Sequence, residues 1–206
     1  RQALFQLRSL LQPTVAQSAA EFLLITPQTV QFNRQSSHTL DGREFVQLLD
    51  ACRDHHAGAA SVAEQSRCPL CRSRLQQAVE LYRGEFLAAM FVENSPDLEE
   101  WIRWQRQHAE VRVLEALSTL ALGFEQNQDY ANAYQYALRQ IKLDPLREEG
   151  QRQVIRLLAL RGQNEAAIAH YDRLRRLLRK ELNAEPAAET VALAKQIRRG
   201  GLKSQE

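Results

Sequence analysis

The chain has 206 residues, of which 44% are hydrophobic and 25% charged, ordinary globular values that exclude wholesale disorder and allow one good core or two small ones. A formal charge of +2 is too small to mark a nucleic-acid binder by itself, because a local patch and not the sum sets the electrostatic footprint. There is no run of about eighteen apolar residues and no charged leader followed by an apolar core, so neither a membrane span nor a secretion signal is encoded, and the chain reads as cytoplasmic.

In chain order, Arg1 to Leu11 forms the first predicted helix, with Leu4, Leu7 and Leu11 on one stripe and Arg1, Gln2, Gln6, Arg8 and Ser9 elsewhere. The pattern is already helical at Arg1, as expected of a piece excised from a longer polypeptide, and Pro13 ends it. Two short strand-like runs, Phe22 to Ile25 and Thr29 to Phe32, flank Thr26-Pro27-Gln28 closely enough to predict a β-hairpin. A helix leading into a hairpin is the order found in the C-terminal half of a winged-helix DNA-binding domain.

From Asp41 to about His56, the spacing of Phe45, Leu48, Leu49 and Cys52 predicts a helix, with Asp41 as N-cap and Glu44 completing a capping box. Gly58 to Arg67 is small and polar and reads as a loop. A new helix is predicted from Pro69, a residue suited to a first helical turn, with Leu75, Ala78, Val79 and Tyr82 on one face.

All three cysteines fall in this window. Cys52-Arg53-Asp54-His55-His56 is followed by Cys68-Pro69-Leu70-Cys71, which makes two ligand pairs of the kind that each clasp one edge of a zinc tetrahedron. Cys52, His55, His56, Cys68 and Cys71 are thus candidate ligands of a structural zinc. Two other readings stay open at this stage: three reduced cytosolic thiols with Cys52 packed in a core, and a redox Cys-x-x-Cys.

The remainder is predicted helical, with turns at Asn94-Ser95-Pro96, Gln126-Asn127-Gln128, Asp144-Pro145, Gly162-Gln163-Asn164 and Asn183 to Pro186. Laid on itself so that Ala133 meets Ala167, the chain also sets Tyr134 on Ile168 and Ala137 on Tyr171. That shift is the tetratricopeptide period, in which small residues let paired helices approach while large ones fill the gaps between pairs. The last repeat is lengthened, because Pro186 follows Pro145 by more than one such period, and Arg173 to Lys180 is predicted to turn Leu174, Leu177 and Leu178 inward beneath a solvated basic face. Trp101 and Trp104, three apart on a long helix from about Asp97 to Phe124, are predicted to fill core.

The adjacent carboxylates Glu99-Glu100 and Glu148-Glu149 point in different directions from a helix, and His38, His108 and His170 are isolated in sequence. With no Gly-rich phosphate loop or nucleophile turn, the chain is not expected to be an enzyme.

The stretch Tyr82-Arg83-Gly84-Glu85-Phe86-Leu87, the Trp-containing segment after it and Asp144-Pro145-Leu146-Arg147-Glu148-Glu149 together resemble the bacterial transcriptional activator domain, from about Leu70 to about Arg199. The resemblance implies a mainly α protein, in which a tetratricopeptide-like helical repeat domain follows a partial winged helix made of a helix and a β-hairpin. It implies residues 1–40 as the end of the DNA-binding domain, 41–69 as helix and linker, and 70–200 as the activator domain. Arg1, Gln2, Gln6 and Arg8 would then be candidates for base or phosphate contact, Trp101 would pack on the Tyr82 to Leu87 turn, and the last helix pair would be long. The implied partners are DNA in the full-length protein, RNA polymerase or another regulatory domain, and a second copy as a homodimer. The rival expectations are a repeat scaffold without DNA contact and a metal- or redox-sensing interaction protein.

Overall fold

The computed structural model describes residues 2–11, 22–56, 62–90 and 92–200. Their backbone contacts separate two units, Arg1–Leu40 and Asp41–Glu206.

The first unit contains helix α1 (Gln2–Leu10) and a two-stranded antiparallel hairpin of β1 (Leu23–Ile25) and β2 (Val30–Phe32), in the register Leu23 opposite Phe32 and Ile25 opposite Val30. The turn is built by its own side chains. Thr26 N–H donates to the Thr29 carbonyl at 2.9 Å, while the Thr26 hydroxyl accepts the Thr29 N–H at 2.9 Å, and Pro27 fixes the backbone between them. Pro13, the expected helix terminator, lies outside the described residues.

The second unit is helical: α2 (Asp41–His55), α3 (Val62–Arg67), α4 (Pro69–Leu81), α5 (Pro96–Gln126), α6 (Tyr130–Leu143), α7 (Glu148–Leu160), α8 (Asn164–Leu182) and α9 (Ala188–Arg198). Two expectations change here. The small, polar stretch read as a loop contains α3 over its described part, because Ser66 is buried and Gly123 of α5 lets the two helices meet at backbone distance. A Cβ on Gly123 would collide with the Ser66 carbonyl oxygen, so only glycine permits this approach. Asp41 is the first helical residue of α2, and its carboxylate takes the N–H of neighbouring Gly42 at 2.7 Å. Helices α2 and α3 pack within the same unit as the repeats, α2 against α4 and α3 against α5.

The repeat is visible bond for bond. Helix α5 ends at Gln126 and α7 at Leu160, while α6 begins at Tyr130 and α8 at Asn164, so the same offset that carries Ala133 onto Ala167 relates both pairs. In the first turn Asp129 N–H donates to Phe124 O and Gln128 N–H to Glu125 O, each at 2.9 Å; in the second, Gln163 N–H donates to Leu158 O and Gly162 N–H to Ala159 O, again at 2.9 Å. The left-handed position falls on Gln128 (φ 59°) and on Gly162 (φ 75°). Both turns therefore close their helix with the same left-handed C-terminal motif. The fully buried Ala133, Ala137 and Ala167 bring the paired helices close.

Two groups of buried residues lie along the stack. Phe45, Leu49, Leu75, Val79, Val113, Leu117 and Leu120 pack where α2, α4 and α5 meet, and Val154, Ile155, Leu157, Tyr171, Leu174 and Leu178 pack among α6 to α9. Burying each large aliphatic side chain contributes about 1.5 to 3 kcal/mol. Phe124 and Tyr136, stacked at 5.4 Å between ring centroids, touch both groups and make the layers continuous. Helix α8 runs to a left-handed Asn183 (φ 51°), and of the three leucines expected to turn inward Leu174 and Leu178 are buried and Leu177 is half-buried.

Arginines tie the irregular segment after α4 to the stack. Arg106 of α5 donates to the Phe86 and Leu87 carbonyls, both at 2.7 Å, and Arg139 of α6 donates to the carbonyls of Val79 and Tyr82. Those carbonyls end a helix and a turn, and such groups need donors from elsewhere when water is excluded.

Candidate metal centre and exposed aromatic face

Packing of α2 on α4 sets the last turn of one helix beside the first turn of the other. His55 ends α2 and His56 follows it, while Cys68 precedes Pro69 at the start of α4 and Cys71 sits in its first turn. One ligand atom from each of His55, His56, Cys68 and Cys71 lies within 4.8 Å of all the others. His55 Nδ1 is 3.5 Å from Cys71 Sγ and 3.7 Å from Cys68 Sγ, and the two imidazole rings meet edge to face at 4.8 Å. His56 Nε2 is buried and has no hydrogen-bond partner among the described residues. The group grades from exposed His55 through half-buried His56 and Cys68 to buried Cys71.

Cys52, the fifth candidate ligand, stands apart from this set. It is fully buried in the core between α2 and α4, and its thiol donates to the Cys71 carbonyl oxygen at 3.6 Å. Position along the helix explains the division: Cys52 lies about one turn before the histidines, in the core with Phe45 and Leu49, whereas His55 and His56 sit at the helix end.

The three thiols differ strongly. Backbone N–H groups at the first turn of α4, that of Cys71 foremost, lower the Cys68 thiol to about 7. Burial, followed by the neighbouring Cys52 and Cys68 sulfurs, pushes Cys71 up to about 12. Burial also raises Cys52. Such a pair can serve a metal ion or exchange a disulfide, and all three cysteines are free thiols here.

The candidate DNA-contact residues are only partly described. Gln2 and Gln6 are exposed and four apart on α1, so they share one face; Arg1 and the side chain of Arg8 lie outside the described residues.

The tryptophans do not fill core. Trp101 is 47% exposed and Trp104 58% exposed, because the first half of α5 buries Ile102 on its opposite face. Trp101 does lean on the turn after α4, edge to face with Phe86 at 5.7 Å between ring centroids, and Trp104 stacks on His108 at 5.1 Å between centroids with the rings nearly parallel. With exposed Val111 they form a stripe at spacings of three, four and three along α5. The signal is present in the sequence, since a heptad-like spacing of large side chains also describes a helix seam that faces a partner. His170 accepts or donates at 2.7 Å to Gln151, and His38 sits on Ser36, so the isolated histidines make ordinary structural contacts.

No helix among the described residues is long and apolar enough to cross a membrane. The family model described as bacterial transcriptional activator domain matches residues 49–198, from within α2 to the end of α9. No curated protein matches the chain.

Proposed function

Because the chain belongs to the bacterial transcriptional activator domain family and is a regulator domain of that type, we propose that it acts as the protein-contact module of a cytoplasmic transcriptional regulator, through the aromatic face of α5. The observation that carries this reading is the stripe of Trp101, Trp104, His108 and Val111, exposed on a helix whose other face is anchored in the stack. Large aromatic side chains at a surface are costly to leave in water and are enriched where partners dock. The role is regulatory and not catalytic.

The helix-then-hairpin order of α1, β1 and β2 supports a DNA reader in the first unit, with Gln2, Gln6 and the two arginines Arg1 and Arg8 directed to DNA. The protein partner is RNA polymerase, a regulatory domain of the same polypeptide, or a second copy of the chain. The test uses the natural-length gene product in a reporter strain, together with sedimentation of the purified protein. Trp104→Ala is expected to cut activation at least about tenfold, the loss of a single binding hot spot, while operator binding in a gel-shift assay stays intact. If sedimentation shows a dimer that Trp104→Ala dissociates, the partner is a second copy. Full activation by Trp104→Ala at normal protein levels would overturn the reading.

A further inference from the structure

We infer that His55, His56, Cys68 and Cys71 form a four-ligand zinc site that fastens the end of α2 to the start of α4. Four protein ligands within 4.8 Å of one another leave room for one ion at their centre. In a zinc tetrahedron with bonds of about 2.3 Å to sulfur and about 2.05 Å to nitrogen, each sulfur-to-nitrogen edge is about 3.6 Å. The two edges from His55 Nδ1 measure 3.5 and 3.7 Å.

The unpartnered nitrogen of one of these four ligands is a further sign. A buried imidazole nitrogen without a hydrogen bond is destabilising, and a site that supplies a metal or a proton removes that cost. His56 Nε2 is such an atom, and it belongs to a ring that already contributes to the cluster.

The donor set selects the ion. Two thiolates and two imidazoles, with no carboxylate among them, suit zinc and exclude the hard cations magnesium and calcium. Four protein ligands close the coordination sphere, which makes the site structural. Uptake of Zn²⁺ releases the protons of both thiols to solvent, and the two thiolates balance the charge of the ion, so a neutral centre results in a half-buried place. Cys52 stays outside as a packed thiol whose S–H supports the Cys71 carbonyl.

The clamp also has a mechanical consequence. The first layer meets the repeats through α4 and α5, and α2 reaches the stack by packing on α4. Fixing the α2 end by a metal therefore fixes the outer edge of the layer that carries the Tyr82 to Leu87 turn.

The test is metal analysis of the purified 206-residue chain, produced in zinc-containing medium and handled without chelator. About one zinc per chain is expected, and cobalt substitution is expected to give the visible bands of a tetrahedral ion with charge-transfer intensity for two thiolates. His55→Ala, at an exposed position, and Cys68→Ser, a near-isosteric change at a half-buried one, are both compatible with folding and should each weaken zinc binding by more than about 100-fold, since even the loss of a group that only orients a ligand costs about 10- to 100-fold. Cys52→Ala should keep its zinc. Metal-free protein with all thiols reduced, a Cys68–Cys71 disulfide in place of the metal, zinc retained in Cys68→Ser, or cobalt intensity for three thiolates would each overturn the assignment. The cobalt measurement on the unaltered chain decides the question even if Cys52→Ala fails to fold.

Discussion

The two ends of the helical unit are held together by different means. From the second half of α5 to α9 the layers repeat, their turns match hydrogen bond for hydrogen bond, and alanines set the helix spacing. The layer of α2, α3 and α4 has no such copy and relies on particular polar contacts: Arg74 donating to the Ala51 carbonyl at 3.0 Å, Arg112 paired with Asp50 at 2.7 Å, Arg139 on the end of α4, and the Cys/His cluster. A repeated layer is stabilised by the same apolar complementarity each time, whereas an edge layer with one neighbour must be fastened by groups peculiar to it.

The largest expected effect tests whether the two ends fold together. Leu157 and Leu117 are both fully buried, one in each group, and truncating either to alanine is expected to cost about 3 to 4 kcal/mol in urea unfolding. Because Phe124 and Tyr136 belong to both groups, a single transition should shift in each variant. A two-phase curve for Leu117→Ala alone would show the edge layer to be a separate cooperative unit.

Gly123→Ala gives a smaller change with an informative sign. Helix propensity by itself favours alanine by about 1 kcal/mol, but the new Cβ would press on the Ser66 carbonyl of α3. A net loss of about 1 to 3 kcal/mol is expected from overpacking. A stabilised variant would mean that α3 does not hold its place against α5.

The equivalent turns differ in the residue that caps the following helix, and exchanging it sharpens the comparison. Asp129 caps α6 by accepting the Asn132 N–H at 3.1 Å, whereas Gln163, its counterpart before α8, has no side-chain cap. Asp129→Ala should cost about 1 kcal/mol, and Gln163→Asp should gain about 0.5 to 1 kcal/mol, both read from thermal unfolding. Equal and negligible shifts in the two variants would show that the turn backbone, and not the cap, sets helix entry.

The smallest effect is a pH dependence confined to the repeats. Burial, followed by the nearby Arg173 charge, lowers His170 below its ordinary 6.5. The folded protein therefore keeps this ring neutral while the unfolded chain takes up a proton, so stability is lost as pH falls through the window beneath 6.5 and is regained above it. His170→Gln should flatten the decline in urea midpoint between about pH 7 and about pH 5.5. An unchanged slope would assign the decline to other groups.

Much of this architecture is legible in the residues. The self-match of Ala133 with Ala167, the turn signals at Gln126 to Gln128 and Gly162 to Asn164, and the inward leucines of α8 each correspond to observed elements, because periodic apolar spacing leaves a helix few ways to bury its stripe. Helix α3 is not legible, because its own residues carry little apolar signal and the space for it is made by Gly123, far away in sequence. Trp101 and Trp104 stand exposed where core was expected, because spacing along one helix does not say which face meets the stack.

The candidate metal site divides in the same way. The clustering of Cys52, His55, His56, Cys68 and Cys71 in one window is a property of the sequence, and it is enough to indicate soft-ligand chemistry. Which four come together depends on the packing of α2 against α4, which turns Cys52 inward with Phe45 and Leu49 and leaves the two histidines at the helix end facing the first turn of α4. Local spacing fixes where a side chain stands on its own helix, but only the meeting of two helices, driven by apolar surfaces that neither can bury alone, brings ligand atoms from both within reach of one ion.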